Sequence, residues 1–155
     1  MTASATTIPG DVARFVERFA DAWAGPHPDR LLELLHPDVR LVQPMFASTA
    51  GRASAESGFF RTLFRFLPDL RLEVVRWSAV GDTVFIEWTA SATLGGRPVR
   101  WPGVDRFLLA DGRATERVAY FDSIPLLVAV LRRPSSWPAL WRSGAVGSLL
   151  RARSA

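Results

Sequence analysis

The 155-residue chain has no cysteine, no lysine and only two histidines. The first absence removes disulfides, thiolate nucleophiles and cysteine metal sites together. The histidines, His27 between two prolines and His36 before Pro37, have no carboxylates at ligand spacing, so no metal site is expected. A glycine-rich phosphate loop, a Gly-x-Ser-x-Gly element and a triad signature are missing too, and no cofactor is expected. Long apolar runs are also absent. The longest, Ile124 to Leu131, is far short of the roughly 20 residues that a membrane span needs. The opening MTASATTIPGDVARF has neither a basic n-region nor an apolar h-region, so no signal peptide is expected and the chain reads as cytoplasmic.

Negative charge is missing from the last part of the chain. Fourteen arginines and fifteen acids lie at or before Asp122, a net charge of −1. After it come Arg132, Arg133, Arg142, Arg151 and Arg153 with no acid, a net +5. The body is therefore no basic nucleic-acid binder, and no nucleic-acid partner is expected. What remains is globular composition, 48% apolar and 22% charged, at a length that fits one domain.

Residues 1–8 are small and polar and are expected to fray. From Asp11, Val12, Phe15, Val16, Phe19, Ala20 and Trp23 recur at helical spacing until Gly25-Pro26 stops the helix. A short second helix follows, with Asp29 near its start and Leu31, Leu32, Leu34 and Leu35 as its apolar face. His36-Pro37-Asp38 then leads into a strand over Val39–Met45, broken by Pro44. Residues 46–53 read as a loop, and a third helix runs from about Ser54 to Leu67, before Pro68. The rest alternates as strands. Leu70–Val80 and Thr83–Leu94 are joined at Gly81-Asp82, and Gly95-Gly96 is a hairpin signal. Val99–Leu109 and Thr115–Phe121 flank Asp111-Gly112. A last helix starts at Asp122 or Ser123, with one of them as N-cap, and stops at Pro134. Helices first and a strand meander afterwards predict an α+β fold, with helices packed on one face of a curved antiparallel sheet.

That order, with "LHPDV" before the first strand, "GR" before the third helix, "DGR" between the last strands and "YFD" at the end, resembles the SnoaL-like families. These share the nuclear-transport-factor-2-like fold with ketosteroid isomerases, limonene epoxide hydrolases and polyketide cyclases. The resemblance covers about residues 11–131. It implies a cone-shaped α+β barrel: three N-terminal helices on a curved, mostly antiparallel sheet, with a pocket between them. Residues 132–155 are left as a basic, Trp-containing helical arm. It also implies a homodimer through the outer sheet face, where Arg100 and Arg106 point.

Carried over position by position, the isomerase oxyanion tyrosine falls on Phe19, its general-base aspartate on Gln43 and its second oxyanion donor on Asp105. The epoxide hydrolase Arg-x-Asp falls on Trp88 and Ala90, its further aspartate on Ala119 and its water-orienting asparagine on Gln43. The catalytic acid of the cyclases falls on Ala119. The resemblance thus disfavours both the epoxide hydrolase and the known cyclase mechanism.

Strand alternation gives an independent reading. Trp101, Gly103, Asp105 and Phe107 share one face of their strand, so Asp105 is expected among aromatic side chains. There it is either a desolvated acid that moves a proton, or structural glue paired with an arginine such as Arg117. Gln43, inward beside Leu41, either orients a substrate carbonyl or water or is a satisfied core amide. Asp105 and Gln43 are the expected catalytic residues. Phe19, Trp23, Leu41, Met45, Phe60, Trp88, Trp101 and Ala119 are the expected substrate-binding wall. Plain core packing is the alternative for the indoles Trp88 and Trp101.

In the tail, Trp137, Leu140 and Trp141 stand at i, i+3, i+4 spacing among arginines only. The segment reads either as a peripheral anchor on anionic lipid or as an arm covering the domain's own sheet or a dimer partner. The function that follows is cofactor-independent acid–base conversion, of isomerase, cyclase or dehydratase type, of an apolar, polycyclic or terpenoid-like molecule. The alternative is a noncatalytic ligand-binding or dimerisation module.

Overall fold

The computed structural model describes residues 9–25 and 28–147. Residues 1–8, His27, Arg151 and Arg153, on which expectations were placed, lie outside the described residues. Helix α1 (Pro9–Trp23) buries Val12, Phe15, Val16, Phe19 and Trp23 along one stripe, as the spacing demands. Helix α2 (Pro28–Glu33) turns Leu31 inward. The chain then passes directly into β1 (Leu35–Val42), four residues earlier than the expected Val39 start. The entry is held by the Ala114 N–H, which donates to Leu34 O at 2.8 Å. Leu34 and Leu35 are buried, but as the junction and first strand residue, not as a helix face. His36 thereby sits in the strand, and its Nδ1 accepts from the Asp38 N–H at 3.2 Å. The strand ends before Pro44, and Met45 takes a left-handed φ of 69° that no strand can continue.

The expected loop contains a two-residue strand, β2 (Thr49–Ala50), paired antiparallel with β1. The third helix begins at Arg52 and is not uniform: α3 (Arg52–Ser54), a π-wound segment (Ala55–Phe60) and α4 (Arg61–Phe66) follow without a break. The meander comprises β3 (Arg71–Val80), β4 (Thr83–Leu94), β5 (Arg97–Ala110) and β6 (Arg113–Tyr120). Its last two turns, Gly95-Gly96 and Asp111-Gly112, have positive φ at both central residues, the geometry that two-residue hairpins favour. The sheet order is β2-β1-β6-β5-β4-β3, with β1 parallel to β6 and every other pairing antiparallel. The sheet is curved and unclosed, with β2 and β3 as its edges; helices, not strand pairing, complete the barrel.

Along β5 the residues 101, 103, 105, 107 and 109 are buried and their neighbours are not, as alternation requires. The register between β5 and β6 shifts by one residue at Thr115. Leu109 pairs with Ala114, but Leu108 pairs with Glu116 and Phe107 with Arg117. This bulge decides which face the rest of β6 presents.

Helix α5 (Ile124–Leu131) follows β6 with Ser123 as its N-cap residue. The Ser123 side chain makes no capping bond, and the preceding Asp122 carboxylate accepts from the Ile124 N–H at 2.9 Å in a turn that leads into the helix. A 3-10 turn (Pro134–Ser136) and α6 (Trp137–Ser143) complete the described arm. Arg133 Nη1 donates to Leu94 O and Arg97 O at 3.1 and 3.2 Å, and Ser135 Oγ donates to Gly95 O at 3.3 Å. The arm is thereby clipped to the β4–β5 turn. No helix among the described residues is long and apolar enough to cross a membrane.

Candidate functional site

The inner face of β4, β5 and β6 carries Trp88, Asp105 and Arg117 under the helices. Asp105 is 0% exposed and Arg117 7%. They form a bidentate pair: Arg117 Nε donates to Asp105 Oδ2 at 2.7 Å and Nη2 to Oδ1 at 3.1 Å. The fork matches the carboxylate oxygen for oxygen, and a buried charge pair requires that fit. The guanidinium also lies 5.7 Å from the Phe59 ring centroid, so it has an aromatic face as well as an anion. Burial pushes the Asp105 carboxyl above the ordinary range; the Arg117 charge and hydrogen bonds oppose that rise, and the Trp88 indole N–H opposes it weakly. The indole influences the carboxylate without reaching hydrogen-bond geometry, and Trp88 Nε1 has no partner.

Trp88 lies flat on the neighbouring strand because the residue opposite it is Gly103. A Cβ there would collide with three ring atoms of the indole. Gly103 is therefore required for space rather than for backbone freedom.

A cavity of about 50 Å³ opens beside this pair, walled by Trp23, Gln43, Phe59, Trp88, Trp101 and Arg117 among others. Gln43, 7% exposed, donates from Nε2 to Ala47 O at 3.1 Å. That bond fixes the amide orientation and leaves Oε1 buried without a partner. Arg117 Nη1 is likewise buried and unpartnered. A second void, about 40 Å³, shares Phe46, Leu63, Trp101 and Phe121 with the first and is closed by Leu126, Leu140 and Ala145 of the C-terminal segment.

Of the expected wall, Trp23, Trp88 and Trp101 border the first cavity and Met45 the second. Phe19 and Phe60 border a smaller void of about 20 Å³ that also touches Arg117. Leu41 is sealed in the core, and Ala119 is buried opposite Asp105 in the register. Gln43 is on the cavity wall and Asp105 is not: Arg117, bonded to it, borders the cavity instead. Sequence reasoning had Arg117 only as a partner for Asp105, and it missed Phe46, Phe59 and Phe121 as wall residues. For Phe59 a signal existed, its place among the helix's buried phenylalanines. Among the described residues no group of three His, Cys, Asp or Glu side chains could hold a metal ion.

The fold is shared with proteins of known structure. TerC, co-crystallised with polyporic acid, superposes with a TM-score of 0.71 at 21% identity, over 78% of this chain and 98% of that one. A protein of ketosteroid isomerase-like fold from Catenulispora acidiphila DSM 44928, in complex with trimethylamine, gives 0.67 at 22% identity, over 82% and 93%. An LEH-like epoxide hydrolase of M. tuberculosis gives 0.66 at 23% identity, over 83% and 95%. At these identities the likeness establishes the fold. No curated protein matches the chain. The SnoaL-like domain model matches residues 16–117, from α1 to the arginine of the buried pair. The chain belongs to the SnoaL-like family.

Proposed function

We propose that the protein converts an apolar, polycyclic or terpenoid-like small molecule by acid–base chemistry without a cofactor, of isomerase, cyclase or dehydratase type. The supporting observation is Arg117, paired with the buried Asp105 behind it, on a largely apolar wall with the free acceptor of Gln43. In this reading Arg117 donates to the substrate carbonyl oxygen, Gln43 Oε1 accepts from a hydroxyl of the substrate or its enol, and the guanidinium stabilises the negative charge that forms when a neighbouring C–H is ionised. Asp105 holds the guanidinium in place, and Arg117 separates it from the closed cavity. The carboxylate takes the proton once the wall movement that admits the substrate uncovers it and Arg117 shifts to the substrate oxygen. In an isomerisation the same proton returns to another carbon. One placed acid–base group contributes about 10²–10⁴-fold. A noncatalytic binding module is the second reading, favoured by the absence of Asp105 from the cavity wall.

A cavity of about 50 Å³ is too small for a ring, since benzene occupies an engineered cavity of ~150 Å³. Substrate entry therefore requires a wall to move, and the arm carrying Leu140 and Ala145 is the wall built on a separate C-terminal segment. The same arm fits peripheral contact with anionic lipid: Trp137 and Trp141 are 44% and 68% exposed, beside Arg132, Arg133 and Arg142. A homodimer through the outer sheet face, where Phe85, Leu108 and Tyr120 are exposed, belongs to the same proposal; a monomeric mass by light scattering would remove it.

The test of the reaction class is proton exchange. A panel of polycyclic enones and β-diketones in D₂O should show NMR-detected exchange at the carbon next to the carbonyl, faster than in buffer. Asp105→Asn should abolish the acceleration and keep the affinity. Enones that bind without accelerated exchange would leave the binding module as the function.

A further inference from the structure

Three side chains on the cavity wall, each more than nine-tenths buried, leave one polar atom apiece unused; the Trp88 N–H is turned toward the Asp105 carboxylate, and the other two are Arg117 and Gln43. Arg117 Nη1 is a donor with no acceptor, and Gln43 Oε1 is an acceptor with no donor. Neither is free to turn away. Arg117 is fixed through Nε and Nη2 by Asp105, so Nη1 is the nitrogen left outside the fork. Gln43 is fixed through Nε2 by Ala47 O. Such atoms are costly in a native interior unless something satisfies them. The smallest group on an organic ligand that accepts one hydrogen bond and donates another is a hydroxyl, which can take the place of a bridging water.

Charge narrows the ligand further. The Asp105 carboxylate and the Arg117 guanidinium cancel, so the wall is polar but neutral. A ligand carboxylate would compete with Asp105 for the same guanidinium and leave one buried negative charge uncompensated. A neutral hydroxyl adds no charge. The remaining wall, Trp23, Phe59, Trp88 and Trp101, suits a flat apolar body.

We propose that this cavity selects neutral hydroxyl-bearing aromatic or polycyclic ligands, with Arg117 Nη1 donating to the ligand hydroxyl and that hydroxyl donating to Gln43 Oε1. The proposal rests on the reading of the cavity as the ligand site and adds the class of ligand it takes: phenols, enols and alcohols, against acids and hydrocarbons of the same shape.

The experiment measures affinities by calorimetry on the full chain at pH 7, in two buffers of different ionisation enthalpy. The probes are hydroxyl, methyl and carboxylate versions of one-, two- and three-ring aromatics. For at least one ring size the hydroxyl compound binds about tenfold or more tighter than its methyl and carboxylate counterparts, with no proton uptake. Gln43→Leu, which keeps the ion pair, removes most of that preference and retains the affinity for the methyl compound. Equal affinities for hydroxyl and methyl compounds overturn the hydroxyl assignment while the apolar pocket stands. Tightest binding by the carboxylate, with a proton taken up, also overturns it and marks the site as an anion receptor with a protonated Asp105. No binding by any probe overturns this inference and the ligand-site reading together. A preference that survives in Gln43→Leu sinks the role given to Gln43.

Discussion

Replacing Arg117 with Met keeps an unbranched side chain of similar reach and removes the only cation bonded to Asp105 among the described residues. Asp105 is 0% exposed, so water cannot take over the lost bonds without opening the sheet. Breaking a buried pair in this way costs about 3–5 kcal/mol. For a domain of this size that corresponds to a fall in Tm of roughly 6–20 °C. The deficit depends on pH with a definite sign. Burial already raises the Asp105 pKa, and removing Arg117 takes away the largest opposing influence, so the folded state binds a proton more tightly than the unfolded state. Stability of the variant therefore falls as pH rises from the ordinary carboxylate range to the folded pKa, and stays low above it. Urea unfolding followed by circular dichroism at pH 5 and pH 8 measures both effects. The double variant Asp105→Leu/Arg117→Met, which removes both charges, should recover most of the loss. A single variant that loses less than about 1 kcal/mol, or the same amount at both pH values, would refute a tightly coupled buried pair.

Gly103→Ala forces Trp88 off the strand it lies on; overpacking of this kind costs about 1–3 kcal/mol, and a red shift in tryptophan emission should accompany it. An unchanged melting curve would contradict the close contact. Leu140→Ala thins the arm over the second void: stopped-flow binding of three-ring ligands should become faster, and unchanged rates would mean the arm is not the gate. At Asp69, partial burial pushes the pKa up, but the Thr93 backbone N–H, donating at 3.0 Å, leads the contributions that bring it below the ordinary value. Its stabilisation is therefore present above the ordinary carboxylate range and is lost as pH falls through the lowered pKa; Asp69→Asn should flatten that part of the stability–pH curve, opposite in sign to Asp105. Trp137→Ser with Trp141→Ser should reduce co-sedimentation with anionic vesicles, and wild type that fails to sediment removes the lipid contact.

Much of the fold was legible because its signals are local. The Gly95-Gly96 and Asp111-Gly112 turns demand positive φ, and alternation in β5 puts Asp105 inward without reference to any partner. The site was less legible because it depends on register. Counted back from Asp111-Gly112 without a break, Arg117 would pair with Arg106 and face outward, since Ala110 pairs with Arg113 and Leu109 with Ala114. The extra residue at Thr115, whose hydroxyl donates to Leu108 O at 3.1 Å, turns Arg117 inward to Asp105. Nothing in "RATERVAY" announces a bulge. The π-wound turn is similar: it sets Phe59 and Phe60 side by side at 5.0 Å, while the apolar spacing of 54–67 fits an ordinary helix. β1 began early for a third reason. Its pairing with β6 is a contact across some 75 residues of sequence, and the turn residues His36-Pro37-Asp38 gave no hint of it.

The most direct test of the central claim, that Arg117, held by Asp105, forms with Gln43 the polar part of a ligand cavity, is a crystal structure of the chain with a bound polycyclic phenol. The account predicts the ring among Trp23, Phe59, Trp88 and Trp101, its oxygen within hydrogen-bond distance of Arg117 Nη1 and Gln43 Oε1, and Leu140 displaced. A ligand on the outer sheet face or on the arm, with the cavity closed as it is now, would contradict it.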